Sequence, residues 1–348
     1  MRWAWLAVAL TGCGVAAAHA TAPPACGGTV APSRLGAIHF LGPELGLALT
    51  APTPRCGGTL AVSRDGGRNW LTEGRPFSDT RGIEQLVATS THRAWAVVGA
   101  GRLMSTTDGG TTWTTETPRG SVMALTRSGR TLWMLGCLAG APYTCISVLL
   151  RKVLPNGAWT ISSPKLLPNP PPELALAGGR TVVISGGGIV VAVRNGGRRL
   201  AERPDPPWMG RPCQTAGLAA AGGSWWLLCL GGAAAGSSEK ALIETTDRGA
   251  HWTIVSQVTS LTAPPRPGAI PLQEPDAIAA GSPARLWLAT QNGLYESRDG
   301  GARWTWVRGP DPQGTPASFD VLSPTHAWLL APGRGLWHTT DGGHWRAL

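Results

Sequence analysis

The chain has 348 residues, 43% of them hydrophobic and 14% charged, which excludes a disordered chain and leaves apolar mass for a large core. A formal net charge of +10, carried by 30 Lys and Arg against only 20 Asp and Glu, favours anionic partners, although an arginine-biased composition accounts for the same surplus. The 48 glycines and 30 prolines exclude a helix-dominated fold and favour many short strands joined by turns.

The first predicted element is the N-terminal "MRWAWLAVALTGCGVAAAHATAPPAC". One arginine, an apolar run and the small residues Ala18-His19-Ala20 predict a secretory signal peptide over residues 1–20, leaving 21–348 as a single domain. Leu10-Thr11-Gly12-Cys13 competes as a lipobox that would lipidate Cys13 and hold the chain peripherally on a membrane. The apolar run before Cys13 is short, so soluble export to the periplasm or medium is the expectation. No later stretch is apolar enough to span a bilayer. The remaining cysteines fall into sequence neighbours, Cys26 with Cys56, Cys137 with Cys145 and Cys213 with Cys229. This is one pairing among the connectivities that six cysteines allow. It suits an oxidising compartment, and no pair has the CxxC spacing of a zinc knuckle or thioredoxin-like site. Neither metal nor cofactor is expected.

Along the rest of the chain one phrase recurs: "SRDGGRNW", "STTDGGTTW", "TTDRGAHW", "SRDGGARW" and "TTDGGHW". Its aspartates, Asp65, Asp108, Asp247, Asp299 and Asp341, stand 43, 139, 52 and 42 residues apart. The long gap holds two degenerate copies, "PNGAW" (155–159) and "RNGGRRL" (194–200). Five residues before each clear aspartate stands Leu60, Leu103, Leu242, Leu294 or Leu336, and two before it a serine or threonine. Upstream lie apolar runs carrying Trp95, Trp133, Trp226, Trp287 and Trp328, preceded by segments such as "AIHF" and "SVMAL". Each unit therefore reads as four strands, and a repeat of about 40–50 residues signals a propeller. The expectation is an all-β, seven-bladed β-propeller with four strands in every blade and no helix. The last outer strand is short, and the segment around Cys26 to Val30 is placed to complete it.

The phrase has a structural reading. The glycines reach positive φ at a tight hairpin, and the aspartate accepts hydrogen bonds from turn N–H groups and the nearby hydroxyl. The tryptophans Trp70, Trp113, Trp252, Trp304 and Trp345 open the outgoing strand and pack between blades. One carboxylate per turn is too few for a calcium cage. These residues resemble the Asp-box (BNR) repeat. The whole unit, with its "AWAVVGAGRLMSTTDGGTTW", is similar to the photosystem II stability/assembly factor family. The resemblance implies an exported propeller that binds and chaperones a membrane-protein assembly intermediate. Asp-boxes also occur in sialidases, xyloglucanases and sortilin-type receptors, so an Asp-box glycoside hydrolase, sialidase-like or xyloglucanase-like, is the alternative.

Catalytic signals are weak. The early Arg-Ile-Pro signature of sialidases is absent, and Tyr295-Glu296, on a strand entering a box, is aimed poorly at a central pocket. Asp79, Asp205, Asp276, Asp311 and Asp320 remain outside the boxes as acids for a two-carboxylate mechanism. There is no G-x-S-x-G, H-E-x-x-H or P-loop. The inter-blade connections, rich in Pro and Arg, are expected opposite the boxes and carry Arg75, Arg81, Arg119, Arg203, Arg211, Arg266 and Arg308, joined by Trp208 and Trp306. Guanidinium groups with aromatic neighbours suit carboxylates. The reading is a monomeric, non-catalytic binding module for a protein or an anionic glycan. Nucleic acid is excluded by export.

Overall fold

The computed structural model describes residues 27–53, 57–75, 82–116, 120–139, 145–163, 173–177, 181–186, 189–194, 199–204, 207–261, 266–310, 312 and 317–348, with side chains at 138–147, 163–207 and 211–212 outside the description. Nearly all regular structure is antiparallel strand. The helical exception among the described residues is a single 3-10 turn at Pro32–Arg34.

Sheet 1 joins Leu35–Phe40, Gly46–Thr50, Leu60–Ser63 and Trp70–Thr72, with Thr29–Val30 added to its outer edge. Sheet 2 is Ile83–Ala88, Ala94–Val98, Arg102–Thr106 and Thr114–Glu116; sheet 3 is Ser121–Ser128, Thr131–Ala139, Cys145–Val153 and Trp159–Ser163. Sheet 4 is Glu173–Ala177, Thr181–Gly186, Ile189–Arg194 and Arg199–Pro204; sheet 5 is Gln214–Ala221, Ser224–Ala234, Ser237–Thr245 and Thr253–Val258. Sheet 6 is Pro275–Ala280, Leu286–Thr290, Gly293–Ser297 and Thr305–Val307; sheet 7 is Ser318–Val321, Ala327–Ala331, Gly335–Thr339 and Trp345–Ala347. A two-stranded ribbon, Pro207–Trp208 with Arg211–Pro212, stands before sheet 5. The first strand of each sheet touches the first strand of the next, and Ser318–Val321 returns to Leu35–Phe40, so a β-propeller closes around a central channel.

This overturns the expected seven blades of four strands. Six sheets are blades of four strands each, and the N-terminal sheet has five. Thr29 and Val30 pair with Leu71 and Trp70 of sheet 1, not with the last sheet. Sheet 7 needs no help, because Trp345–Ala347 pairs with Trp337–Thr339 and completes it from its own chain. The two degenerate copies fall where the repeat requires, between the third and fourth strands of sheets 3 and 4.

The core lies between sheets. In Ala94–Val98, Ala94, Ala96 and Val98 pack with Leu47, Leu49 and Leu60 of sheet 1, while Trp95 and Val97 pack with Val122, Leu132 and Met134 of sheet 3. Side chains alternate along a strand, so one strand serves both neighbours. That is why second strands read as unbroken apolar runs rather than alternating ones. Similar clusters join sheets 5 to 6, 6 to 7 and 7 to 1.

Each Asp-Gly turn is a local hydrogen-bond knot. In sheet 2 the Thr106 hydroxyl donates to Asp108 Oδ1 (2.8 Å) and accepts the Gly110 N–H (2.9 Å), while the Thr112 N–H and hydroxyl donate to Asp108 Oδ1 and Oδ2 (2.9 and 2.6 Å). Asp65, Asp247, Asp299 and Asp341 each accept in the same way from the hydroxyl before them and the N–H after them. The side-chain and backbone donors of Thr112 pull the Asp108 carboxyl down to about 2. The His251 and His344 N–H groups hold Asp247 and Asp341 below the usual carboxylate range. The folded-state pKa lies below the unfolded one, so this contribution is full above about pH 4 and is lost as pH falls through the folded values. Melting temperature should drop between about pH 4 and pH 2. Asp108→Asn should flatten that drop in a circular-dichroism melt series. A variant that tracks the wild-type curve would remove the turn carboxylate as the cause.

Candidate functional site

The Asp-Gly turns interlock with the preceding sheet. Trp226, Trp287 and Trp328 donate their Nε1–H to the turn carbonyls of Gly300, Gly342 and Gly66 (3.1, 3.0 and 2.9 Å). A Cβ on Gly110 would lie 2.9 Å from Leu60, and one on Gly301 2.2 Å from Leu242, so the leucine five residues before one box fills the space its neighbour's glycine leaves open. Trp70, Trp304 and Trp345 are buried beside their turns, Trp113 and Trp252 half-buried. The Asp-Gly residues are thus positioned as scaffold.

Cys213 and Cys229 are joined, with an S–S distance of 2.05 Å, and tie the foot of the first strand of sheet 5 to its second strand. Cys137 is also disulfide-bonded. Cys26, Cys56 and the Cys145 side chain lie outside the described residues.

Of the seven arginines, Arg81 and Arg119 and the side chains of Arg203 and Arg211 lie outside the described residues. The other three stand at different sheets. The Arg75 N–H donates to Gly110 O of the sheet 2 turn (2.9 Å); Arg266 stands in the turn whose Gly268 accepts the Trp304 N–H (2.9 Å) in sheet 6; Arg308 lies beside Trp345 and His344 of sheet 7. Outer strands here end after three to six residues. Where they are described, after sheets 1 and 5, the connections meet the next sheet's Asp-Gly turn region, at Gly110 and Trp304. Trp208 is no surface residue: it is 5% exposed, packs into the sheet 5 core and donates Nε1–H to Gln257 Oε1 (3.2 Å). The ribbon carries it inward, which the Pro-rich composition of that stretch conceals.

Arg308 and the outer strand Thr305–Val307 line an open groove of about 520 Å³ between sheets 6 and 7, with Arg298, His344 and Glu296 also lining it. Trp306 pairs with Tyr295, so its side chain stands on the opposite face of sheet 6. Glu296 is buried and neutralised by Arg285 Nε and Arg298 Nε, both at 3.0 Å. Its neighbour Tyr295 points to the other side of the strand, where its hydroxyl donates to Gln273 Oε1 (3.4 Å). Tyr295 and Glu296 are therefore not a nucleophile pair.

The central channel is a second cavity, of about 550 Å³, lined by first strands. His39, Glu84, Arg127 and Asp320 supply its charged wall, and Ala219, Ala220, Ala277 and Ala279 a small apolar one. Two carboxylates share it, but Asp320 accepts the Phe40 N–H and faces His39 Nδ1 at 3.8 Å. Burial raises the Asp320 carboxyl, opposed by His39 and the Phe40 N–H. Asp276, on the first strand of sheet 6, is pushed up to about 6 by burial and by Glu274. Asp79, Asp205 and Asp311 lie outside the described residues. Among the described residues no group of three or more metal-ligating side chains occurs.

No protein-family model matches this sequence, and none of the curated proteins matches it. Solved structures do. YCF48 bound to D1 peptide matches over 92% of this chain and 98% of its own, with a TM-score of 0.62 and 16% identity. YCF48 from Cyanidioschyzon merolae matches over 90% and 98%, with a TM-score of 0.59 and 14% identity. An ancestral GH74 enzyme matches 92% of this chain with a TM-score of 0.63 and 12% identity, but only 46% of that enzyme is covered. At these identities the likeness is one of fold. The chain is a β-propeller with the fold of the photosystem II assembly factor YCF48, and the resemblance read from the Asp-Gly repeats holds at that level.

Proposed function

We propose that the chain is an exported, non-catalytic binding module that engages a protein partner, such as an assembly intermediate of a membrane protein. The observation that carries this reading is the match, over nearly the full length of both chains, to YCF48, one structure of which is bound to D1 peptide. The site chemistry agrees. The turn carboxylates are used by their own turns, Glu296 is held by two arginines, and Asp320 is occupied by Phe40 and His39. The Cys213–Cys229 disulfide supports an oxidising compartment. The glycoside hydrolase alternative draws on one observation, the presence of Glu84 and Asp320 in the same channel. The GH74 match spans less than half of its enzyme, so that enzyme's activity is not carried over to this chain.

The test is cross-linking of the tagged full chain in its native cell envelope, followed by quantitative mass spectrometry, run beside turnover assays on sialosides and xyloglucan oligosaccharides. A specific envelope protein should be enriched, without turnover. Turnover that disappears in Glu84→Gln, with no enriched protein, would replace the binding module with the hydrolase.

A further inference from the structure

We propose that the cavity between the ribbon and the extended hairpin of sheet 5 holds an alkylammonium group, with Glu239 taking the charge and Trp208 and Met209 the alkyl stem; this goes beyond the binding reading above and does not depend on it. The first observation is an elaboration that the ring does not need. The second and third strands of sheet 5 run for 11 and 9 residues, where those of sheets 2, 6 and 7 run for 5 each. Past a register shift between Leu230 and Ala233 they continue to a hairpin at Ala234 and Ser237, on the face opposite the Asp-Gly turns. Among the described residues the ribbon stands before this sheet alone. Cys213 follows the ribbon directly and Cys229 precedes Leu230, so their disulfide clamps the ribbon to the base of the hairpin. Between the two lies a cavity of about 360 Å³, with Trp208, Met209, Gly231, Gly232 and Glu239 in its wall.

The second observation is an unpaired carboxylate. Glu239 is half-buried; its Oε2 accepts the Gly232 N–H (3.1 Å), and its Oε1 has no partner among the described residues. No cationic side chain among the described residues lines the cavity. The next residue, Lys240, points to the opposite face of the sheet, where four carbonyls hold its Nζ. A half-buried carboxylate without a counter-ion is stabilised by a ligand that brings one. The cavity therefore selects a cation, although the chain as a whole carries +10.

The third observation is the apolar wall and its strain. Trp208 is tied at its Nε1–H to Gln257, and the benzene end of the indole reaches the glycines. A Cβ on Gly231 would stand 3.0 Å from Trp208 Cη2 and 3.1 Å from Glu239 Oε2, so the aromatic edge and the carboxylate both lie against one glycine. Met209 forms the tip of the ribbon with Gly210, both at positive φ (53° and 73°). A two-residue turn of this kind favours asparagine or glycine at its first position, so methionine there costs stability. It also leaves a thioether 55% exposed in the cavity wall. Packing does not explain an apolar side chain kept in water on a strained turn. Beside a carboxylate, it offers contact to methylene groups. A carboxylate next to an indole edge and a thioether fits an ammonium on a short apolar stem, not a carboxylate or a phosphate.

The probe is n-butylammonium chloride, titrated against the full chain and read by saturation-transfer NMR, beside sodium butyrate. Saturable binding of the ammonium, weakened by salt, is expected, with none for the carboxylate. Glu239→Gln keeps the bond from Gly232 and removes the charge, so it should weaken binding at least about tenfold. Glu44→Gln, the same change at an exposed carboxylate on sheet 1, should leave binding unchanged. Met209→Gly relieves the turn and removes the thioether, so it should weaken binding about threefold without lowering the melting temperature. Near-ultraviolet circular dichroism confirms that each variant is folded. Absence of saturable binding, equal binding of butyrate, wild-type affinity in Glu239→Gln or Met209→Gly, or equal weakening by Glu44→Gln overturns the site. A blocked glycine–lysine–glycine tripeptide that binds more tightly than butylammonium assigns the ammonium to a protein lysine, and one that binds more weakly assigns it to a free amine. Because the probe is a small molecule, failure to enrich an envelope protein would sink the binding module and leave this site standing.

Discussion

Trp328→Ala should destabilise the protein by about 3–5 kcal/mol and separate the last sheet from the first. The other sheets are joined to their neighbours by a connecting chain. The seam between sheets 7 and 1 has no such link and is held by side chains together with the Gly333 N–H to Ser33 O bond (3.0 Å). Trp328 is fully buried and stacks on Phe40 of sheet 1 at 3.6 Å between centroids, 5° from parallel. Its other face carries His338 at 4.5 Å. Phe40 in turn meets Trp70 edge-on at 5.9 Å. The Trp328 Nε1–H satisfies Gly66 O at 2.9 Å, and the Phe40 N–H satisfies Asp320. Burial, with His326 and Arg68 nearby, pushes His338 down to about 4, so its ring stays neutral in the stack at neutral pH. Truncation to alanine removes a ring from both stacks and leaves a buried carbonyl unsatisfied. Trp328→Phe keeps most of the ring and loses the hydrogen bond, so it should cost only about 1–2 kcal/mol. Urea unfolding measures both values. Hydrogen exchange should show amides of Leu35–Phe40 and Ser318–Val321 losing protection first in Trp328→Ala. Equal costs for the two variants, or exchange spread evenly around the ring, would defeat this account of the seam.

The Asp-Gly turns could be read from the sequence because each closes its hydrogen bonds within a few residues. The hydroxyl, aspartate, glycines and following donor are neighbours in the chain, so spacing reports geometry. The copies at 155–159 and 194–200 were faint because asparagine there replaces the carboxylate that makes the knot. What the sequence misplaced depends on contacts distant in the chain. Thr29–Val30 is a two-residue strand with no periodicity of its own, and its partner is chosen by where sheet 1 leaves an open edge. Trp208 sits in a Pro-rich stretch that reads as exposed loop, yet a ribbon turns it inward.

Lys240→Met should cost about 3–5 kcal/mol and loosen the connection that precedes sheet 6. Nothing in the sequence marks this residue, one of three lysines in the chain. In the fold it is fully buried, and its Nζ donates to the carbonyls of Ser238, Pro271, Leu272 and Gln273 at 2.8–3.0 Å. Three of these acceptors belong to the inter-sheet connection and one to the strand that carries the lysine. Burial lowers the ammonium to about 8, opposed by Glu274, so it is charged at neutral pH. The same segment is laid along sheet 5 by the Ser238 N–H to Leu272 O (2.8 Å) and the Glu274 N–H to Gly236 O (2.9 Å). It also buries Ile270. Methionine matches the length of lysine but donates nothing, so several carbonyls lose their partner in a place that excludes water. Local opening is the cheaper response, because the connection can lift away while the sheets stay paired. Amides of Ser238 and Glu274 should therefore exchange at least about tenfold faster in Lys240→Met, before global unfolding, with the urea midpoint also lowered. Stability within 1 kcal/mol of wild type, with Ser238 still protected, would show that the connection is held by its backbone bonds and Ile270 alone, and that the buried ammonium is incidental to it.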